Sequence, residues 1–141
     1  HRENATLNSV LMSALGDPVA VHLSDTSTYA GTVAEVGVDY VAIESSKGLT
    51  WLALAAVTAV ELRNDKVGDA DAIETPDSML IDVIEDLIAA EVTLNVTLRS
   101  ATALSGEPTA VGESLFMRNT NGHGVTVVDF NAIAALHVVR Y

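Results

Sequence analysis

The stretch "TYAGTVAEVGVDYVAIES", residues 28–45, decides how the chain folds. Apolar and polar residues alternate through it with period two, the pattern of strands that bury one face. Gly31 sits inside the first alternating run, and Gly37 falls just before the second. Glycine inside a strand permits a sharp bend or a close backbone approach. The stretch "ALSGEPTAVGESLFMRN", residues 103–119, repeats the spacing with Gly106 and Gly112. Bends at Gly31 and Gly106, and turns at Gly37 and Gly112, are therefore expected twice in one chain.

The repeat extends in both directions. Val19, Val21 and Leu23 align with Leu94, Val96 and Leu98, and "LAAVTAVELR" (54–63) aligns with "FNAIAALHVVR" (130–140), so that Val57 and Val60 match Ile133 and Leu136. Features recurring in one order mark an internal duplication. Alternation predicts strands near 18–24, 28–36, 39–45, 49–54 and 57–62, then near 92–99, 102–110, 113–119, 124–130 and 133–139. Pro108 cannot donate a ladder hydrogen bond, so a bulge or an edge is expected there.

A helix opens each half. Leu7, Val10, Leu11, Ala14 and Leu15 form a helical stripe stopped by Gly16 and Pro18. In the second half Thr75 is the expected cap and Pro76 the first helical residue; Leu80, Val83, Ile84, Leu87 and Ile88 form the stripe, with Asp82, Glu85 and Asp86 facing water. The units are then 1–63 and 79–141, joined by an acidic linker over 64–78. Its Asp-x-Asp pair lacks the remaining ligands of a calcium loop and reads as solvated chain.

Composition narrows the function. The 141 residues carry nineteen acids against seven Lys and Arg, a formal charge of −12. Phosphate-backbone binding draws its affinity from cations that release counterions, so nucleic acid is an unfavourable partner. Cysteine is absent, which removes disulfides and thiolate metal sites and fits a reducing, cytoplasmic setting. No apolar run approaches the roughly 20 residues that span a bilayer, and no signal-peptide pattern opens the sequence. Neither a membrane, a metal nor a cofactor is expected.

A helix followed by "VAVHLSDTSTYAGTVAEVGVDYVAIES" and "WLALAAVTAVEL" resembles an Sm-like small barrel, and the second half resembles one less closely. More narrowly, "VGVDYVAIE" with "WLALAAVTAV" resembles paired small-barrel proteins of actinobacteria, a sequence type without established activity. The resemblance implies a mainly β chain of two tandem five-stranded Sm-like barrels, each preceded by a short helix. It also implies edge-to-edge association through the fourth and fifth strands, three chains closing a six-barrel ring in one arrangement. RNA-binding members place an Asp and an Asn at the entrance to the third strand and an Arg-Gly before the last. Here Asp39 matches in part, Asn119 and Asn131 lie near equivalent loops, and "LAAVTAV" holds no Arg-Gly.

Chemistry-bearing motifs are missing. His22 and His137 sit out of phase with the apolar face of their strands, His123 lies in the turn "NTNGHG", and no His pair supports zinc. The chain contains no Gly-x-Ser-x-Gly elbow and no Gly-rich phosphate loop. Trp51, the single tryptophan, is a core or interface anchor. Trp51, Val57, Val60, Ile133 and Leu136 are the candidate interface residues. The sequence thus points to a non-enzymatic module for protein–protein interaction or self-association through strand edges. An RNA-associated regulator is the alternative, and an enzyme with a site between the two units a second one.

Overall fold

The computed structural model describes residues 6–63 and 76–139. The chain is mainly β, with helices α1 (Leu7–Ser13) and α2 (Leu80–Ala89). The first half holds β1 (Pro18–Leu23), β2 (Thr28–Val36), β3 (Tyr40–Ser45), β4 (Gly48–Ala53) and β5 (Val57–Leu62). The second holds β6 (Leu94–Leu98), β7 (Ala103–Val111), β8 (Ser114–Asn119), β9 (Val125–Asp129) and β10 (Ile133–Val138). All ten predicted strands form, and no boundary moves by more than two residues from its predicted place. Among the described residues no helix is long and apolar enough to cross a membrane.

The strands build one continuous antiparallel sheet, in the order β5-β1-β2-β3-β4-β10-β6-β7-β8-β9, which does not close into a barrel. This differs from the two separate closed units expected from the sequence. β4 does not pair with β5 of its own half; its outer edge is taken by β10 of the other half, so the hydrogen-bond ladder runs through both. Each half nevertheless repeats one plan. The first strand is flanked by the second and the fifth, and the third and fourth follow outward in the same order.

The repetition reaches single residues. The β2–β3 pairing shifts register between Val33 and Glu35, and the β7–β8 pairing between Pro108 and Ala110. This second shift is the bulge that Pro108 calls for. The β1–β5 and β6–β10 pairings also slip at matching places, before Leu23 opposite Val57 and at Leu98 opposite Ile133. Thr26 and Ala101 both take positive φ, 72° and 75°, in the tight turns after β1 and β6.

Two apolar clusters form, one per half. Leu11 of α1 and Ala14, which follows its last residue, pack with Val19, Val21, Val41, Ile43 and Leu52. Leu80 and Ile84 of α2 pack with Leu94, Val96, Leu115, Met117 and Leu136. Full burial of such side chains contributes about 1.5–3 kcal/mol each, so these clusters dominate the stability of each half. Gly31 and Gly106 are sites of close backbone approach. A Cβ on Gly106 would stand 2.8 Å from the Arg118 carbonyl oxygen, and one on Gly31 would strike the Glu44 carbonyl.

α2 starts later than Thr75 and Pro76 suggest. Thr75 lies outside the described residues, as do linker positions 64–75, and Pro76 lies before the helix in a segment without regular secondary structure. The physical reason is the first half: Val38 N–H donates to the Ser78 carbonyl at 2.7 Å, holding residues before Leu80 extended.

Candidate assembly interface

The junction between the halves is built from four elements. β4 and β10 pair over Leu52↔Ala135, Trp51↔Leu136 and Thr50↔His137. This ladder is short, and side chains from both halves reinforce it. Tyr40 of β3 is fully buried, yet it belongs to the apolar cluster of the second half, where Trp51 and Ala53 also pack. In return Ala134 and Ala135 of β10 join the cluster of the first half. Tyr40 Oη donates to Ser78 Oγ at 3.1 Å, and burial, the neighbouring carboxylates of Glu35 and Asp39 assisting, pushes its phenol above the ordinary value.

Asp39 completes the junction. Its Oδ1 accepts the Leu80 backbone N–H at 2.7 Å, while Asp82 Oδ2 accepts that of Met79 at 3.0 Å. The first N–H groups of a helix lack internal partners, and a carboxylate there also meets the positive end of the helix dipole. Gly37 is where it is because a side chain would collide with the Tyr40 ring and with the Ser78 carbonyl, 2.7 Å from a Cβ. Its counterpart Gly112 is open: nothing lies within 4 Å of a Cβ there.

The predicted residues distribute unevenly over this surface. Trp51 and Leu136 are brought together as strand partners. Val57 and Ile133 are buried in the clusters of their own halves, and Val60 is half-buried against the first. The three RNA-loop candidates do not converge. Asp39 caps α2; Asn119 uses both ends of its amide inside the β8–β9 hairpin, donating to the His123 carbonyl at 2.9 Å and accepting from Thr126 Oγ1 at 2.5 Å. Asn131 sits beyond the far end of that strand pair, its N–H donating to Asp129 Oδ1. Sequence reasoning missed Tyr40 and Ala135 as junction residues. The available signal was "DYVAIE", where Tyr40, Val41, Ala42 and Ile43 are buried in succession because both faces of β3 are covered.

A groove of about 480 Å³ opens beside the junction, lined by Thr28, Lys47, Thr50, Asn95, Thr97 and His137 among others. Its walls mix polar and apolar surface and come from both halves, but its groups do not form a reacting set. His137 Nδ1 lies 3.1 Å from the Leu49 carbonyl, which can only accept, so that nitrogen carries the proton and cannot take one from Thr50. A hydroxyl–imidazole–carboxylate line also runs from Thr28 through His22 to Glu61, at 2.9 Å and 2.5 Å. It lies on an exposed surface, with the Glu61 side chain 66% accessible, where water competes for every partner. Among the described residues no group of acids and histidines is placed to hold a metal ion.

The chain matches no protein-family model, and comparison with curated proteins and with solved structures finds no match.

Proposed function

We propose that the chain is an assembly module made of two Sm-like units, without catalytic activity, that binds through the open edges of its sheet. The observation that supports this most directly is the β4–β10 junction, a strand-edge contact between two copies of one plan inside a single chain. Among the described residues the sheet ends in two further edges of the same kinds, β5 and β9. Unpaired strand edges are templates for pairing with another chain. β9 carries Val125 and Val127 on its outer face, 59% and 54% exposed. Surface exposure of this kind marks interaction sites.

Among the described residues nothing in the arrangement favours RNA. The turn of the first half that would correspond to an Sm-like RNA loop is covered by the start of α2. Arg118 is paired with Glu107 at 2.7 Å, and Arg99 donates to the Asn131 carbonyl.

Light scattering across a concentration series, repeated at several salt concentrations, tests the proposal. Copies carrying a charge of −12 repel one another, so screening strengthens edge pairing as salt rises. RNA binding weakens over the same range. A monomer at every concentration and salt, with no protein recovered on the purified chain, sinks the assembly reading.

A further inference from the structure

Seven large apolar side chains are exposed among the described residues, and four of them follow a rule. The pairings Val41↔Leu52 and Leu115↔Val128 fix the correspondence of the halves, making Phe116, Val125 and Val127 the counterparts of Ala42, Leu49 and Trp51. Phe116 pairs with Val127 as Ala42 pairs with Trp51. In the helices, Leu7 and Leu11 are spaced as Leu80 and Ile84 are. Leu7, Phe116, Val125 and Val127 are 38%, 42%, 59% and 54% exposed. Their counterparts are covered: Ala42 and Leu80 are buried, and Leu49 and Trp51 partly so, at the junction between the halves. The same asymmetry holds at the other edge, where Ala59 is exposed while its counterpart Ala135 is 3% exposed.

We infer that the occupant of the β9 edge is β5 of a second copy of this chain, docked in the register of the internal β4–β10 junction; this rests on the assembly reading above. Transposing that junction gives Val128↔Ala59, Val127↔Val60 and Thr126↔Glu61 across the two copies. Phe116 and Val127 then face the apolar cluster of the incoming first half, as Trp51 faces that of the second. The incoming α1 reaches the open turn at Gly112–Ser114, where Glu113 stands in the place of Asp39 and meets the N–H of Leu7 as Asp39 meets that of Leu80. The occupant is a second copy because each exposed element has its complement elsewhere on the same chain. The register also sets Glu61 opposite a threonine rather than an acid, which avoids a like-charge pair. Such a contact is heterologous: each added copy leaves one β5 and one β9 edge free, so the assembly closes into a ring or extends.

Absence of cysteine gives a clean background for the test. Val60→Cys and Val127→Cys chains are made separately, checked for wild-type circular dichroism and urea midpoint, then mixed and mildly oxidised. The expected result is a covalent dimer in the mixture and none from either variant alone. Ala59→Cys mixed with Val127→Cys is the register control and stays unlinked, because adjacent strand residues point to opposite faces. In parallel, Val127→Lys in the cysteine-free chain raises the dissociation constant of self-association at least tenfold. Association of the wild type with linkage of Val127→Cys to itself, linkage through Ala59→Cys, or a Val127→Lys chain that associates as before each overturns this interface while leaving the assembly reading intact. A wild type that never self-associates but captures another protein overturns the interface alone, and one that binds nothing overturns both.

Discussion

At Gly106 the space for a side chain is already filled by the neighbouring strand: a Cβ would meet the Arg118 carbonyl oxygen at 2.8 Å and Met117 Cβ at 2.9 Å. Gly106→Val therefore forces β7 and β8 apart, and overpacking of this kind costs about 1–3 kcal/mol. Gly112→Ala meets nothing within 4 Å and leaves stability nearly unchanged. Urea unfolding of the two variants checks the contrast; equal midpoints sink the close-approach account. Tyr40 makes a prediction in pH. Burial raises its phenol, so the fold favours the protonated form. The stability linked to it is complete below the unfolded value of about 10 and is lost as pH climbs through the raised folded value. Tyr40→Phe removes that part of the alkaline loss, seen as a flatter urea midpoint between about pH 8 and about pH 11. Parallel curves for the two proteins count against the buried phenol as the cause.

At the scale of elements, α2 owes its start to the half it does not belong to. Asp39 Oδ1 supplies the acceptor for Leu80 N–H, and Val38 fixes Ser78 ahead of it. Asp39→Ala removes a capping interaction worth about 0.5–2 kcal/mol, and Asp39→Asn, which keeps an acceptor oxygen, loses less. Amide exchange at the first turn of α2 is the measurement: faster exchange in the Ala variant supports the cap, and no change refutes it. The β strands themselves were legible, since period-two alternation in a run such as "LNVTL", with Leu94 and Val96 buried and Asn95 exposed, depends on neighbours only through one buried face. The helix boundary was not, because its capping group lies 41 positions away along the chain.

Across the whole molecule the two clusters interlock. Tyr40, Trp51 and Ala53 leave the first half to pack in the second, and Ala134 and Ala135 cross the other way. Neither half can lose its cluster without exposing residues of the other, so the chain is expected to unfold in a single transition despite its duplicated plan. Trp51, the sole tryptophan, reports the junction by fluorescence. Coincident fluorescence and far-ultraviolet circular dichroism transitions are predicted; two separated transitions would mean that the halves are independent. Trp51→Ala, which empties a junction position shared by both, lowers the single transition as a whole, by about 3 kcal/mol or somewhat less because the side chain is only partly buried.

Sequence alone determined the ten strands, the two helices and the duplicated order, and narrowed Pro108 to a bulge or an edge, because each is written in local periodicity, in self-comparison, or in a missing N–H. Only tertiary structure decided that the halves share one sheet, that Asp39 caps a distant helix, and which apolar faces stay open. A strand's outward edge carries the same backbone groups whatever its sequence. Which neighbour satisfies them is settled by packing on both sides, as when Tyr40 and Trp51 find their burial across the junction rather than within their own half.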